Sequence, residues 1–286
     1  MKTFLRGRLR GYRRTKYLRS GRRAWSYGYG DYKNSFIDRV LGEDELLQIF
    51  RTGAPLPVGY GTGIDERAVE IPWVLSQLPN EGTGHLLDAG SALNHEYMLQ
   101  ARPLTRSKIT IMTLAPEALA FWDRGISYVF GDLRHVDFRD DCFDTVTCIS
   151  TIEHVGMDNA MYAKGSEIAR PGDMREFLGA VRELNRILKP GGTLYITFPF
   201  GRYENHGWLQ QFDVALTDAL IEAFHAAEAK ETIFRYDRDG WRLSDRHDSS
   251  RCEYSNAGLS AACGGTSSAP DNAAAARAVA CLALRK

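Results

Sequence analysis

The chain has 286 residues, 44% hydrophobic and 25% charged, with 36 bases balanced by 36 acids. These are ordinary globular values, so pervasive disorder, collagen and a disulfide scaffold are excluded. No apolar run approaches the ~20 residues that cross a bilayer, and the length allows about two ordinary domains or one elaborated α/β domain.

The neutral total hides a split. Residues 1–23 hold ten of the 36 bases (Lys2, Arg6, Arg8, Arg10, Arg13, Arg14, Lys16, Arg19, Arg22, Arg23) and no acid, so 26 bases face 36 acids in the rest. The expected organisation is a basic arm (1–34), a helical extension (35–83) and an α/β domain (84–286). The arm lacks a continuous apolar core and does not read as a signal peptide. It reads as a solvated tail or as a basic amphipathic helix, since Phe4, Leu5, Leu9, Tyr12, Tyr17 and Leu18 are interleaved with the bases. Its charge suits an anionic membrane surface or an acidic partner. Cys142, Cys148, Cys252, Cys263 and Cys281 form no Cys-x-x-Cys pair. That pattern suits free thiols in a reducing cytoplasm and predicts no metal site.

Residues 24–34 are rich in Gly and Tyr and read as loop. Residues 35–51 have helical spacing, with Phe36, Ile37, Val40, Leu41, Leu46, Leu47 and Phe50 on one face. A Gly/Pro-rich loop over 53–63 separates them from a helix over 65–78, limited or kinked by Pro72. From residue 84 strands and helices alternate. Strands are predicted at 85–89, 108–114, 127–130, 143–150 and 193–198. Helices are predicted at 94–101, 117–122 and 173–188, the last opened by a capping pair Asp173/Glu176 and stopped by Lys-Pro-Gly-Gly at 189–192. A helix at 214–229, a strand at 232–236 and a terminal strand at 278–284 follow. Residues 248–274, rich in Gly, Ser, Ala and Asn, read as an exposed or disordered loop. The alternation predicts a largely parallel sheet covered on both faces, with ligands at the carboxyl ends of its strands.

Three such ends carry polar residues. The turn Asp88-Ala-Gly-Ser-Ala-Leu-Asn94 offers backbone amides and a glycine that permits close approach. Gly131-Asp132 places a carboxylate over the crevice. Ser150, Glu153 and His154 follow a buried strand, and His154 has the titration range of a base.

Asp88-Ala-Gly90, Gly131-Asp132, Glu153-His-Val155 and Leu188-Lys-Pro-Gly-Gly-Thr-Leu194 occur in the order and at the spacing of the class I S-adenosylmethionine (SAM)-dependent methyltransferases. The sequence resembles their type-11 small-molecule group over roughly 66–236 plus the last strand. The resemblance implies a Rossmann-like α/β fold with a seven-stranded, mostly parallel sheet and an antiparallel last strand. It implies SAM as cofactor, held by Asp88, Gly90, Ser91, Asn94, Glu117, Asp132, Leu133 and Ser150. Two features depart from the pattern: in the glycine loop Ala92 and Asn94 replace glycines, and Thr113 stands where an acid usually holds the ribose. Glu117, one turn on, is the expected substitute.

After the fifth strand, Pro199–Asp213 resembles a segment of methyltransferases associated with sugar and polysaccharide biosynthesis. Arg202, Tyr203, Asn205 and Trp208 are the residues expected to grip a sugar-like acceptor. His154 and His206 are the candidate bases, with Glu153 as orienter, and residues 156–172 are a candidate lid. The expected activity is O-methylation of a small polar acceptor such as a saccharide-linked intermediate. The alternative is a methyltransferase-fold scaffold that has lost SAM chemistry. The acidic body argues against a nucleic-acid substrate.

Overall fold

A computed structural model describes residues 2–163, 171–256 and 269–286. Part of the candidate lid, part of the 248–274 loop, Cys263 and the side chains of residues 1–8 (Phe4 and Leu5 among them) lie outside the described residues.

The N-terminal arm is helical. α1 (Lys2–Arg19) lies on α2 (Tyr29–Leu41). Tyr17 is fully buried and edges against Tyr29 and Tyr32, with ring centroids 5.8 and 5.1 Å away. Gly28 makes this approach possible: its φ is +89°, and a Cβ there would come within 2.2 Å of the Arg13 carbonyl oxygen. The other flank of α1 stays in solvent, with Leu9, Tyr12 and Leu18 exposed among the bases. α2 therefore starts inside the segment expected as loop. The single helix expected over 35–51 is two, because Gly42 ends α2 and α3 (Asp44–Thr52) begins afresh.

α4 (Arg67–Gln77) is buried along nearly its whole length although Pro72 lies inside it. Its apolar side chains share a core with Ile37 and Phe50 from α2 and α3 and with Leu86, Ile111 and Phe234 from the sheet.

The sheet begins with β1 (His85–Ala89). The helix expected over 94–101 is reduced to turns, one 3₁₀ turn at Met98–Gln100 and the short α5 (Arg102–Thr105). β2 (Lys108–Thr113), β3 (Ser127–Phe130) and β4 (Phe143–Ile149) lie as predicted. The helix expected at 117–122 is absent; only a 3₁₀ turn forms, at Trp122–Arg124. α6 (Phe177–Ile187) starts later than expected. The Glu176 carboxylate accepts from the Asp173 N–H, as in a capping box, but Asp173 caps Arg175 N instead of Glu176 N.

β5 (Leu188–Pro199) is longer than predicted because the Lys-Pro-Gly-Gly turn is a bulge: Phe143 pairs with Leu188 and Thr145 with Thr193. The hairpin β6 (Glu204–Asn205) and β7 (Gln210–Gln211) precedes α7 (Val214–Phe224), which the left-handed His225 ends early. β8 (Glu228–Asp237) turns into β9 (Gly240–Ser244), followed by α8 (Arg246–Ser249) and β10 (Ala278–Arg285).

The sheet order is β3-β2-β1-β4-β5-β10-β8-β9. It has eight strands rather than seven, since the unexpected β9 pairs antiparallel with β8. β1 to β5 are parallel and β10 is antiparallel to both neighbours, as expected. Ala273 and Ala274, at the end of the stretch expected as an exposed loop, are buried, as are Ala275 and Ala276 after them. No described helix is long and apolar enough to cross a membrane. Cys148, Cys252 and Cys281 are buried free thiols and Cys142 is half-buried.

Candidate functional site

Strand order reverses between β1 and β4, and crevices open at the carboxyl ends of strands at such a point. Gly90, Thr113, Asp132, Leu133, Thr151 and His154 line a cleft there. The space it encloses is about 70 Å³. That is well below a typical ligand pocket, so the cleft is a groove and not an enclosed chamber.

The turn after β1 is tight. Gly90 has φ +110°, and a Cβ on it would fall 2.0 Å from Thr151 Oγ1. Ser91 follows at φ +64°, a conformation that non-glycine residues adopt under constraint. Asp88 does not face the cleft. It is fully buried, and its carboxylate accepts from Leu93 N at 2.8 Å and Thr147 Oγ1 at 3.2 Å, closing the turn from behind. Burial pushes its pKa up to about 7.

The unusual residues of the turn have a common partner. Glu117 accepts from Ser91 Oγ at 2.9 Å and Asn94 Nδ2 at 3.1 Å on one oxygen, and from Thr113 Oγ1 at 3.2 Å on the other. Asn94 and Thr113, two of the three departing residues, thus fix an acid beside the end of β2. Asn94 is itself buried and also accepts from the Tyr128 hydroxyl, so it builds the turn without lining the cleft.

Asp132 lines the cleft but is already engaged. Arg134 donates to both of its oxygens at 2.5–3.0 Å and also pairs with Glu176. Ser150 is not at the cleft either. It sits at φ +38° and donates to Glu70 Oε1 at 2.7 Å, turned toward α4. Thr197 and Arg67 complete the grip on Glu70, at 2.7 and 2.5 Å.

Behind His154 lies a second cavity of about 270 Å³. Glu66 and Arg67 from the start of α4, Glu153, Trp208 and Ala274 form its walls, with Trp25, Tyr162 and Tyr254 around them. His154 is common to both spaces. Its Nδ1 lies 2.7 Å from the Trp208 carbonyl oxygen, which can only accept, so Nδ1 carries the proton and Nε2 keeps its lone pair. Burial lowers its pKa to about 4, so the ring is neutral near pH 7.

Glu153 is 2% exposed, and one of its carboxyl oxygens has no partner. Burial, with Glu70 nearby, holds its pKa well above the usual carboxylate range. Glu66 rises to about 7, by burial first and then by Asp65 and Glu70. Burial of this kind disfavours the charged form, so both carboxyls ionise less readily than an exposed one.

The other acceptor candidates fall outside both spaces. His206 contacts Glu204 at 3.1 Å and Asn256 at 3.3 Å. Arg202 pairs with Glu204 and Glu253, the Tyr203 hydroxyl meets Met174 Sδ, and Asn205 accepts from Gly207 N. These contacts hold the β6–β7 hairpin; only Trp208 reaches the cavity. Glu66, Arg67, Trp25 and Tyr254 were missed in the sequence. One signal was present: Glu70 interrupts the apolar run Ala68–Leu75 of α4, and Glu66 stands just before that helix.

Comparison with known proteins agrees with the fold. Residues 87–196 match the family Methyltransf_11, described as "Methyltransferase domain". No curated protein matches the chain. Solved structures similar to it include a possible histamine N-methyltransferase from Thermotoga maritima, at 15% identity and TM-score 0.44 over 88% of this chain and 99% of that one. Another is YcgJ from Bacillus subtilis, at 13% and 0.44 over 76% and 98%. A third is the 1,6-didemethyltoxoflavin-N1-methyltransferase of Burkholderia thailandensis, with S-adenosylhomocysteine bound, at 12% and 0.40 over 71% and 71%. The segment matched to the methyltransferase domain runs from β1 into β5 and spans 110 of the 286 residues.

Proposed function

We propose that this chain transfers a methyl group from SAM to a small polar acceptor held in the second cavity. The observation that carries this reading is the position of His154, which lines both the cleft and the cavity. Two spaces meeting at one neutral imidazole is the arrangement that a donor site and an acceptor site require.

The cleft has the donor set for a nucleoside. Glu117 would hold the ribose hydroxyls, replacing the acid missing at Thr113. Met112 and Leu133 supply an apolar flank for the base, and the turn at Gly90 lets backbone approach closely. Bound there, SAM supplies a methyl group already activated on a sulfonium sulfur, so the chain's task is alignment. His154 Nε2 accepts a hydrogen bond from the acceptor and so orients the reacting atom. Glu153, beside it, is shifted by burial toward its protonated form.

A saccharide acceptor is the finer reading. Trp208 supports it as a ring platform; Arg202, Tyr203 and Asn205 do not, because they are spent on the hairpin. The exposed bases of α1 would place the enzyme against an anionic surface or an acidic partner, and the free thiols suit a cytoplasmic location.

Calorimetric titration with S-adenosylhomocysteine tests the donor site. Micromolar binding is expected, weakened in Glu117→Ala. No binding at millimolar ligand overturns the reading and favours the scaffold alternative, which the Arg134 grip on Asp132 already supports.

A further inference from the structure

The charges around the second cavity do not balance. Lys33 lies 2.7 Å from Asp65, and Arg67 is tied to Glu70. Among the described residues, each buried acid on that side of α4 therefore has its cation, except Glu66 and Glu153. Glu66 has only the Ala276 N–H, at 3.1 Å. Glu153 has one oxygen with no partner, and its neighbour His154 is neutral.

A buried polar atom left without a partner destabilises the fold, because it has given up its hydrogen bonds to water. Two surplus carboxyls facing one cavity are a large expense unless something that enters it uses them. The remaining walls narrow what that is. Trp25, Trp208, Tyr162 and Tyr254 present aromatic surface, and aromatic faces attract cations, most strongly where water is excluded. A metal ion does not suit these walls. Among the described residues, the only His, Cys, Asp or Glu group close enough to share an ion is Asp245, His247 and Asp248, on the surface.

We propose that the second cavity binds a small organic cation, an ammonium group held between the Glu66 and Glu153 carboxylates and the aromatic walls. The proposal rests on the reading of this cavity as the acceptor site, and it names the acceptor class as an amine in place of a neutral sugar: the amine binds as its ammonium ion and gives a proton to the Glu153 carboxylate before its nitrogen lone pair takes the methyl group from the sulfonium sulfur. The raised carboxyl pKa values follow from the same imbalance. A cation arriving beside Glu153, with Glu66, Glu70 and Arg67 of α4 and His154 as the other ionisable groups around it, ionises the carboxyl and releases a proton.

The test uses the whole chain and two probes of nearly equal shape, choline and 3,3-dimethylbutan-1-ol, which differ in charge. Binding is read from tryptophan fluorescence, since Trp25 and Trp208 line the cavity, and from calorimetry in two buffers of different ionisation enthalpy. Choline is expected to bind at least ~10-fold more tightly than the alcohol and to release protons at pH 7. Glu153→Gln is expected to reduce that preference to about twofold or less. Trp25→Ala, at a half-exposed wall, gives a second reading if Glu153→Gln does not fold. It should weaken choline several-fold and leave S-adenosylhomocysteine binding unchanged. Equal binding of the two probes, no choline binding at millimolar concentration, or a methyl glucoside that choline does not displace overturns the proposal. Titration of the same samples with S-adenosylhomocysteine separates the two failures. Homocysteine-ligand binding without charge preference sinks only the acceptor class, whereas choline binding without it sinks the donor site.

Discussion

The cleft and the cavity on either side of His154 are built in opposite ways. In and around the cleft the carboxylates already have partners from the chain: Asp88, behind the turn, has Leu93 and Thr147, Glu117, beside β2, has Ser91, Asn94 and Thr113, and Asp132, in the cleft wall, has Arg134. In the cavity, Glu153 keeps an oxygen without one, and among the described residues neither it nor Glu66 is paired with a cation. A donor common to many reactions can be met by a preorganised, self-satisfied frame. An acceptor is selected by groups left unsatisfied until it arrives, because those groups penalise any ligand that cannot pair with them.

The sharpest way to break this contrast is to remove the residue that joins the two halves. His154→Ala should lower the rate of S-adenosylhomocysteine release with an amine acceptor by ~10²–10⁴-fold, while the donor affinity stays within a few-fold. A parallel fall in both would mean that His154 is structural. Next in size is Gly90→Ala. The new Cβ meets the Thr151 side chain at a backbone φ of +110°, so backbone must shift. A loss of about 2–4 kcal/mol in thermal or denaturant unfolding is expected, with loss of donor binding. An unchanged melting temperature would show that the turn is plastic.

Glu117→Ala acts on the cleft alone. Loss of a charge-assisted contact of ~1.5–3 kcal/mol predicts a 10- to 100-fold weaker S-adenosylhomocysteine complex by calorimetry, with choline binding intact. A change under twofold would mean that Glu117 merely braces the turn.

The smallest effect distinguishes the two carboxyl environments by pH. Glu66 is raised to about 7 and Glu153 well above its usual value. The folded state therefore binds more protons than the unfolded state above the ordinary carboxyl pKa of about 4.3. Their contribution to stability is present at low pH and is lost as pH rises toward 7 and beyond. His154, lowered to about 4, acts oppositely: its contribution is lost as pH falls from about 6.5 toward 4. Glu153→Gln should therefore gain melting temperature over the parent between about pH 6 and pH 8. A constant difference across that range would show that the carboxyl is not held neutral.

The parallel strands were legible because each is a short local signal: a run of apolar residues ending in polar ones. So was the cleft, whose residues follow those strands directly. The failures have separate physical causes. Glu117–Trp122 has helical composition, but Asn94 binds the Glu117 carboxylate and the Leu119 carbonyl and holds the segment extended across the turn. β9 is brief and forms only because β8 offers it an edge. Asp88 and Ser150 looked like ligand-facing residues from their place in the strand order; which way a side chain turns there depends on partners far along the chain, Thr147 for one and Glu70 for the other. The cavity was least legible of all. Its walls come from Trp25, the start of α4, the turn after β4, the β6–β7 hairpin and the approach to β10, and no local pattern joins them.

The place of β10 bears on how the molecule is made. Val279 pairs with Pro199 on one side and Phe234 on the other, so this strand is the keystone between β5 and β8. It is also synthesised after both of them. Until it emerges, the ribosome-bound chain carries two unpaired strand edges, and β8 with β9 has no sheet to join. Unpaired edges recruit other chains, and pairings this distant in sequence close slowly. Deleting residues 278–286 should therefore yield aggregates rather than a loosened enzyme, and nascent chains stalled before Ala278 should be the species that chaperones hold longest.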